Sequence, residues 1–348
     1  EDEHPLRSVF ARDRDRVIHT TAFRRLQYKT QVFICYEGDH YRNRLTHTIE
    51  VAQVARTIAR ILSVNEDLTE AIALAHDLGH SPFGHAGERT LSLLLADHGG
   101  FEHNFQSLRI VSRIESPYSG YQGLNLTKDT LEALDKKNEG LLRKINIKID
   151  NFKQSSLEGQ IVDIADFIAY TSHDLDDAIS SGLITFEMLS DIRIFDDLIK
   201  SSASSSNSMD SKRKRIFITK GLINKIVQDV VTTTSERLSK ANYKSSNDVR
   251  NSGSKSVTLS DRMGVDAKIL RKLLFDNFYM SEKVKMMEYK VDQIICKLFE
   301  AYSNETSLMP SDVCSHIVES GANMPRIVCD YIAGMTDRFA QKEYEKLL

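Results

Sequence analysis

Through "THTIEVAQVARTIARIL", apolar residues recur at steps of three and four: Val51, Val54, Ala55, Ile58 and Leu62 share one stripe, which predicts an amphipathic helix. "NEDLTEAIALAHDLG" predicts a second, with Asn65 as its cap, acids in the first turn and a stop at Gly79. A third is expected from about His85 to about His98, closing at Gly99-Gly100. "SSLEGQIVDIADFIAYTSHDLDDAI" reads as another long helix. Strand alternation is scarce, and one short hairpin is expected near 217–219. The chain therefore reads as mostly α.

Two stretches lack this periodicity. Residues 201–215, "SSASSSNSMDSKRKR", join a serine tract to a basic run, and 239–260 is polar throughout. Both are expected to be solvated loops, inserted on a helical body without ending a domain. Residues 6–33 are dense in arginine and aromatics.

Composition narrows the class. The 348 residues are 41% apolar and 27% charged, as in a soluble globular protein, and only five prolines leave room for long helices. No apolar run reaches membrane-spanning length and no N-terminal signal pattern is visible, so no membrane partner is expected. The cysteines Cys35, Cys296, Cys314 and Cys329 form no CxxC pair; free thiols in a reducing, cytoplasmic compartment are expected. A formal charge of −3 excludes a strongly basic chain, while a local basic pocket for an anion stays open. The chain opens abruptly at "EDEHPL", as a trimmed chain would.

The chemistry concentrates in "ALAHDLGHSPFGHAGE", where His76, His80 and His85 fall within ten positions and His76 adjoins Asp77. Neighbours on a helix point about 100° apart, so His76 and Asp77 can share one ion only over the groove between them, at a helix's last turn. A closed site needs ligands from other helices. His47, near the start of the preceding helix, is one candidate and Asp166 the other. On the Asp166 helix, Asp163, Asp166, Tyr170, Asp174 and Asp177 make a polar stripe bordered by Ile161, Ile164, Ala165, Ile168 and Ala169. Carboxylates next to so much apolar surface are costly unless paired or bound to metal. Singly, each histidine reads as structural; together they form a mixed nitrogen and oxygen set that suits Mn, Fe, Zn, Ni or Mg. His85 and Glu88 lie at i and i+3 of one helix, so the carboxylate can orient the imidazole.

"RLTHTIEVAQ", "ALAHDLGHSPFGHAGE" and "EGQIVDIADFIAY" resemble the HD-domain superfamily, specifically its deoxyguanosine triphosphate triphosphohydrolase branch. "DRDRVIHTTAFRRLQYKTQVF", "GGFEHNFQSLRI", "GLNLT" and "DYIAGMTDRFAQKEYEKL" extend the likeness to both ends of the chain. The resemblance implies a helical HD fold in a single domain, 1–348, with an HD core over about 40–180 and an accessory region over 196–300. It implies the metal ligands His47, His76, Asp77 and Asp166, matching the set reached above. It implies hydrolysis of a deoxynucleoside triphosphate to deoxynucleoside and triphosphate, with His85 as leaving-group acid or as nucleophile, the acid being favoured because a 5′ alkoxide needs a proton, and with Glu88 and His80 beside it. Arg44 is then expected at the phosphates, Gln31 at the sugar 3′ hydroxyl and Tyr170 against the deoxyribose. His103, Asp174 and Arg326 complete the substrate contacts, while Asp330 and Asp337 are expected to be structural. A homo-oligomer, hexamer or tetramer, and a nucleotide effector are further expectations. Two alternatives stay open: an HD phosphodiesterase or 5′-nucleotidase, and a catalytically inactive protein that senses nucleotides or binds single-stranded nucleic acid.

Overall fold

Helix after helix along the chain begins at a small polar cap. Ser8, Thr20, Thr127, Ser156, Asp210, Ser260 and Thr336 each accept a bond from a backbone amide of the first turn. The computed structural model describes residues 4–31, 42–135, 140–150, 152–204, 210–311, 313 and 323–347. Cys35 and Cys314 lie outside them. The helices that matter here are α1 (Val9–Ile18), α2 (Arg44–Ile61), α3 (Glu66–Ala75), α4 (Gly84–Leu94), α5 (His103–Arg109), α6 (Leu157–Ser180), α7 (Ser211–Ala241), α8 (Asp261–Leu274), α9 (Glu282–Asn304), α10 (Met324–Ala333) and α11 (Asp337–Lys346). Among the described residues there is no strand, only an isolated antiparallel bridge between Thr30 and Asn43. The fold is helical, as expected.

The chain divides into two compact units: Glu1–Thr48, Leu74–Ile149 and Met286–Leu348 form the first, Ile49–Ala73 and Asp150–Lys285 the second. The core of the first unit packs one face of α9 (Val291, Ile295, Leu298, Tyr302) on Leu91 and Leu95 of α4 and on Val328 and Ile332 of α10. In the second unit, Ile218, Leu222, Ile226 and Val230 bury one stripe of α7. The Glu50 carboxylate of α2 meets His173 Nε2 of α6 at 2.9 Å.

Four local expectations change. The hairpin near 217–219 does not form: Phe217, Ile218 and Thr219 lie inside the 31-residue α7. Three residues of apparent alternation were too short a signal, and the buried Ile218, Thr219 and Leu222 obey the helical period instead. The basic run of 212–215 is likewise the first turn of α7, capped by Asp210, while serines 201 and 202 belong to a helix, Asp196–Ser204. Within 239–260, Ser245 and Asp248 form a capping box that starts a short helix, Ser246–Arg250. Finally, α3 stops at Ala75, four residues before Gly79.

Candidate active site

The early stop of α3 puts His76 and Asp77 in a turn, just past the helix rather than on its last residues. Leu78 N bonds Ala75 O at 3.4 Å and His80 N bonds Asp77 O at 3.2 Å. Freed from helical spacing, the two side chains meet, with His76 Nε2 3.2 Å from Asp77 Oδ1. Gly79 allows this turn to press against α5, because a Cβ there would stand 2.2 Å from the His103 carbonyl oxygen and the Ser107 nitrogen. Ser107 Oγ accepts from Gly79 N and donates to His76 O, both at 2.9 Å.

The first turn of α2 supplies the facing groups. Asn43 Oδ1 accepts from Thr46 N at 2.9 Å and starts the helix. Arg44 and His47 follow, both buried. His47 Nε2 lies 3.8 Å from Asp77 Oδ2, and the His47 and His76 rings are 5.9 Å apart. Arg44 Nη1 donates to Asp77 Oδ2 at 2.8 Å. Burial alone would push the Asp77 carboxyl up, but His76, His80 and Arg44 override it and hold it well below the usual carboxylate range. Two buried imidazoles and an ionised, buried carboxylate are a donor set that fits a divalent cation. Arg44 Nε and Nη2 are buried with no hydrogen bond among the described residues, which suits an anion. Its Nη2 lies 3.5 Å from where a Cβ on Gly84, the first residue of α4, would be.

A second cluster adjoins the first through Asp77, whose Oδ1 is 3.3 Å from His80 Nε2. The His80 and His103 rings stack at 4.0 Å and 15°. Burial, with Arg44 and His103 nearby, holds the His80 imidazolium well below its usual pKa, so the ring is neutral. Glu88 joins His103 and His85: Oε1 meets His103 Nδ1 at 2.8 Å and Oε2 meets His85 Nδ1 at 3.3 Å. Burial raises the Glu88 carboxyl, but these bonds outweigh it and keep it ionised far below the usual range. His85 alone of this group has an exposed side chain, so its Nε2 edge is accessible.

The remaining expected residues are placed as follows. Gln31 is buried beside the Thr30–Asn43 bridge, and its Oε1 has no hydrogen bond among the described residues. In the second unit, Asp166, Tyr170 and Asp174 lie along α6. Tyr170 stacks on Tyr279 with centroids 6.2 Å apart and planes within 6°, and the Tyr279 hydroxyl donates to Asp174. Burial, then the Asp174 charge, raises the Tyr170 phenol, keeping it neutral. Arg326 Nη2 donates to the carbonyl oxygens of His98 (2.8 Å) and Gly100 (2.7 Å), which ties this loop to α10. Asp330 is structural, accepting from Arg109 and Gln106. Sequence reasoning passed over Lys29, Ser107 and Tyr279. Only Lys29, two residues before Gln31 in an arginine-rich segment, carried a signal.

Residues 44–171 match the HD domain family and residues 257–346 the phosphohydrolase-associated domain. A deoxyguanosinetriphosphate triphosphohydrolase-like protein of Geobacter sulfurreducens is 43% identical over 98% of this chain and 89% of its own length. Similarly named proteins of Brucella ovis (42%, covering 100% and 91%) and Thiobacillus denitrificans (43%, covering 98% and 91%) match equally broadly. Similarity of that extent, over an HD motif whose side chains converge as described, makes this chain a member of the deoxyguanosinetriphosphate triphosphohydrolase-like family of HD-domain phosphohydrolases.

Proposed function

We propose that the protein hydrolyses deoxynucleoside triphosphates to deoxynucleoside and inorganic triphosphate, with a divalent metal held by His47, His76, Asp77 and Asp166. The observation that carries this reading is the buried Arg44–Asp77 pair, set between the His47/His76 imidazoles and the Glu88-linked histidines. Bound there, a metal of the Mn, Mg, Fe, Ni or Zn type would draw charge from a phosphate oxygen. The chain's own groups do the rest. Arg44 uses its remaining guanidinium edge for phosphate. Neutral His80, stacked on His103, keeps Nε2 at the Asp77 carboxylate and borders the same anion. Water adds to the α-phosphorus, and the bond from that phosphorus to the 5′ oxygen breaks. His85 delivers a proton to the departing 5′ oxygen, and ionised Glu88 holds the ring through Nδ1. Gln31 binds the 3′ hydroxyl, and Tyr170, steadied by Tyr279 and Asp174, covers C2′ and refuses a 2′ hydroxyl. The family resemblance carries the further expectation of a hexamer or tetramer that responds to nucleotides.

The test is a panel of four dNTPs and four NTPs with Mn or Mg, with products resolved by chromatography. Deoxynucleoside plus triphosphate, without NTP turnover, supports the proposal; no turnover of any dNTP rejects it. A second reading, a dinuclear HD phosphodiesterase, draws on Asp77, His80 and His103, whose donor atoms lie within 4.8 Å of one another. It calls for phosphate or an opened cyclic nucleotide as product.

A further inference from the structure

The loop that joins His80 to α4 is held from both ends by two buried charged side chains that the proposed chemistry does not use. Phe83, the residue before α4, has φ of +63°, in the left-handed region, and no side chain caps this helix. Its amide instead donates to Asp337 Oδ1 at 2.8 Å, and Asp337 Oδ2 accepts from Thr30 N, also at 2.8 Å. Three residues earlier, the His80 carbonyl oxygen accepts from Lys29 Nζ at 2.5 Å, and the same Nζ donates to Ala333 O at 2.8 Å. One carboxylate and one amine thus join three separate stretches: 29–31, which carries Gln31; 80–84, which sets His80 and leads into His85; and 333–337, at the end of the chain.

A buried charge is costly unless paired and bonded. Lys29 is pushed down to about 7 by burial, with Arg25 and Arg44 adding to the effect against Asp337, and burial raises the Asp337 carboxyl. Mere attachment of α11 could be achieved by apolar contacts. What the pair adds is direction, because it fixes the His80 carbonyl and the Phe83 amide, the two backbone groups that bracket the strained turn.

We propose that Asp337 and Lys29 are positioning residues for the catalytic loop, holding His80 and His85 at the substrate through the His80 carbonyl and the Phe83 amide. This rests on the dNTP triphosphohydrolase reading for its kinetic consequence. It also gives the phosphohydrolase-associated segment, 257–346, a task in catalysis: its end completes a loop that the HD segment, 44–171, cannot hold alone.

The test uses the full chain with Asp337→Asn, Asp337→Ala and Lys29→Met. Misplacement of about 1 Å costs up to ~100-fold. Asparagine keeps one acceptor for two amides, so kcat should fall ~10-fold in Asp337→Asn and ~100-fold in Asp337→Ala, with Mn affinity by titration unchanged. Each substitution is repeated in the His85→Ala background, where the loss should shrink, since a misplaced acid costs nothing once the acid is gone. Undiminished kcat in Asp337→Asn and Lys29→Met, or equal fold-losses in both backgrounds, overturns the proposal. If Asp337→Ala does not fold, the other two variants carry the comparison. Amide hydrogen exchange of residues 80–84, measured without substrate, separates this proposal from the one it rests on. Faster exchange in Asp337→Asn is expected even if the wild type turns over no dNTP, and unchanged exchange overturns the positioning role by itself.

Discussion

At the scale of single residues, His85 is the group whose removal should cost most while leaving the metal in place. His85→Ala should retain metal by elemental analysis and lose ~10²–10⁴-fold in kcat, the range for a general acid. Glu88→Gln should lose less, because it weakens the grip on His85 and His103 without removing a ring. Normal turnover by His85→Ala would move the proton donor to another residue. For sugar choice, Tyr170→Ala should bring kcat/KM for dGTP and GTP closer together, and an unchanged ratio would make this tyrosine ordinary core. These residues were readable because chemistry crowds them: three histidines in ten positions, and a stripe of acids on an otherwise apolar helix. Tyr279 was not, because it meets Tyr170 from 109 positions away and nothing local marks it. Arg326 shows the converse: a motif supplies a residue type, and only the fold shows that its Nη2 donates to the His98 and Gly100 carbonyls.

At the scale of elements, the turn between α3 and α4 is the critical part. Gly79→Ala would force a methyl to within 2.2 Å of backbone atoms of α5, so a loss of at least ~1–3 kcal/mol is expected from overpacking. Denaturant titration checks it, and a stability within error of the wild type would show that the turn can shift away from α5. The helices themselves were legible from apolar period and caps. The end of α3 was not, because the sequence marks Gly79 as a stop while Ser107, far along the chain, draws His76 O and Gly79 N out of the helix. The absent hairpin near 217–219 is the same lesson in reverse, local alternation yielding to the buried stripe of α7. Lys29 adds a pH signature. Its folded pKa is about 7 and its unfolded value 10.5, so between these the unfolded chain binds more protons and stability rises with pH. Lys29→Met should lose that rise, seen as a flatter dependence of the denaturation midpoint between about pH 7 and about pH 10. Parallel curves for the two proteins would contradict the depressed value.

At the scale of the molecule, a bound ion should stabilise the whole chain. At ~100 times its Kd a ligand specific for the folded state contributes ~2.7 kcal/mol, so Mn should raise Tm in the wild type and raise it less in His47→Ala. No helix among the described residues is long and apolar enough to cross a membrane. The central claim is that water attacks the α-phosphorus, leaving the triphosphate whole. Hydrolysis of dGTP in ¹⁸O-labelled water tests it most directly. The account predicts one labelled oxygen in inorganic triphosphate and none in deoxyguanosine; label in the nucleoside, or cleavage to dGMP and pyrophosphate or to dGDP and phosphate, would contradict it.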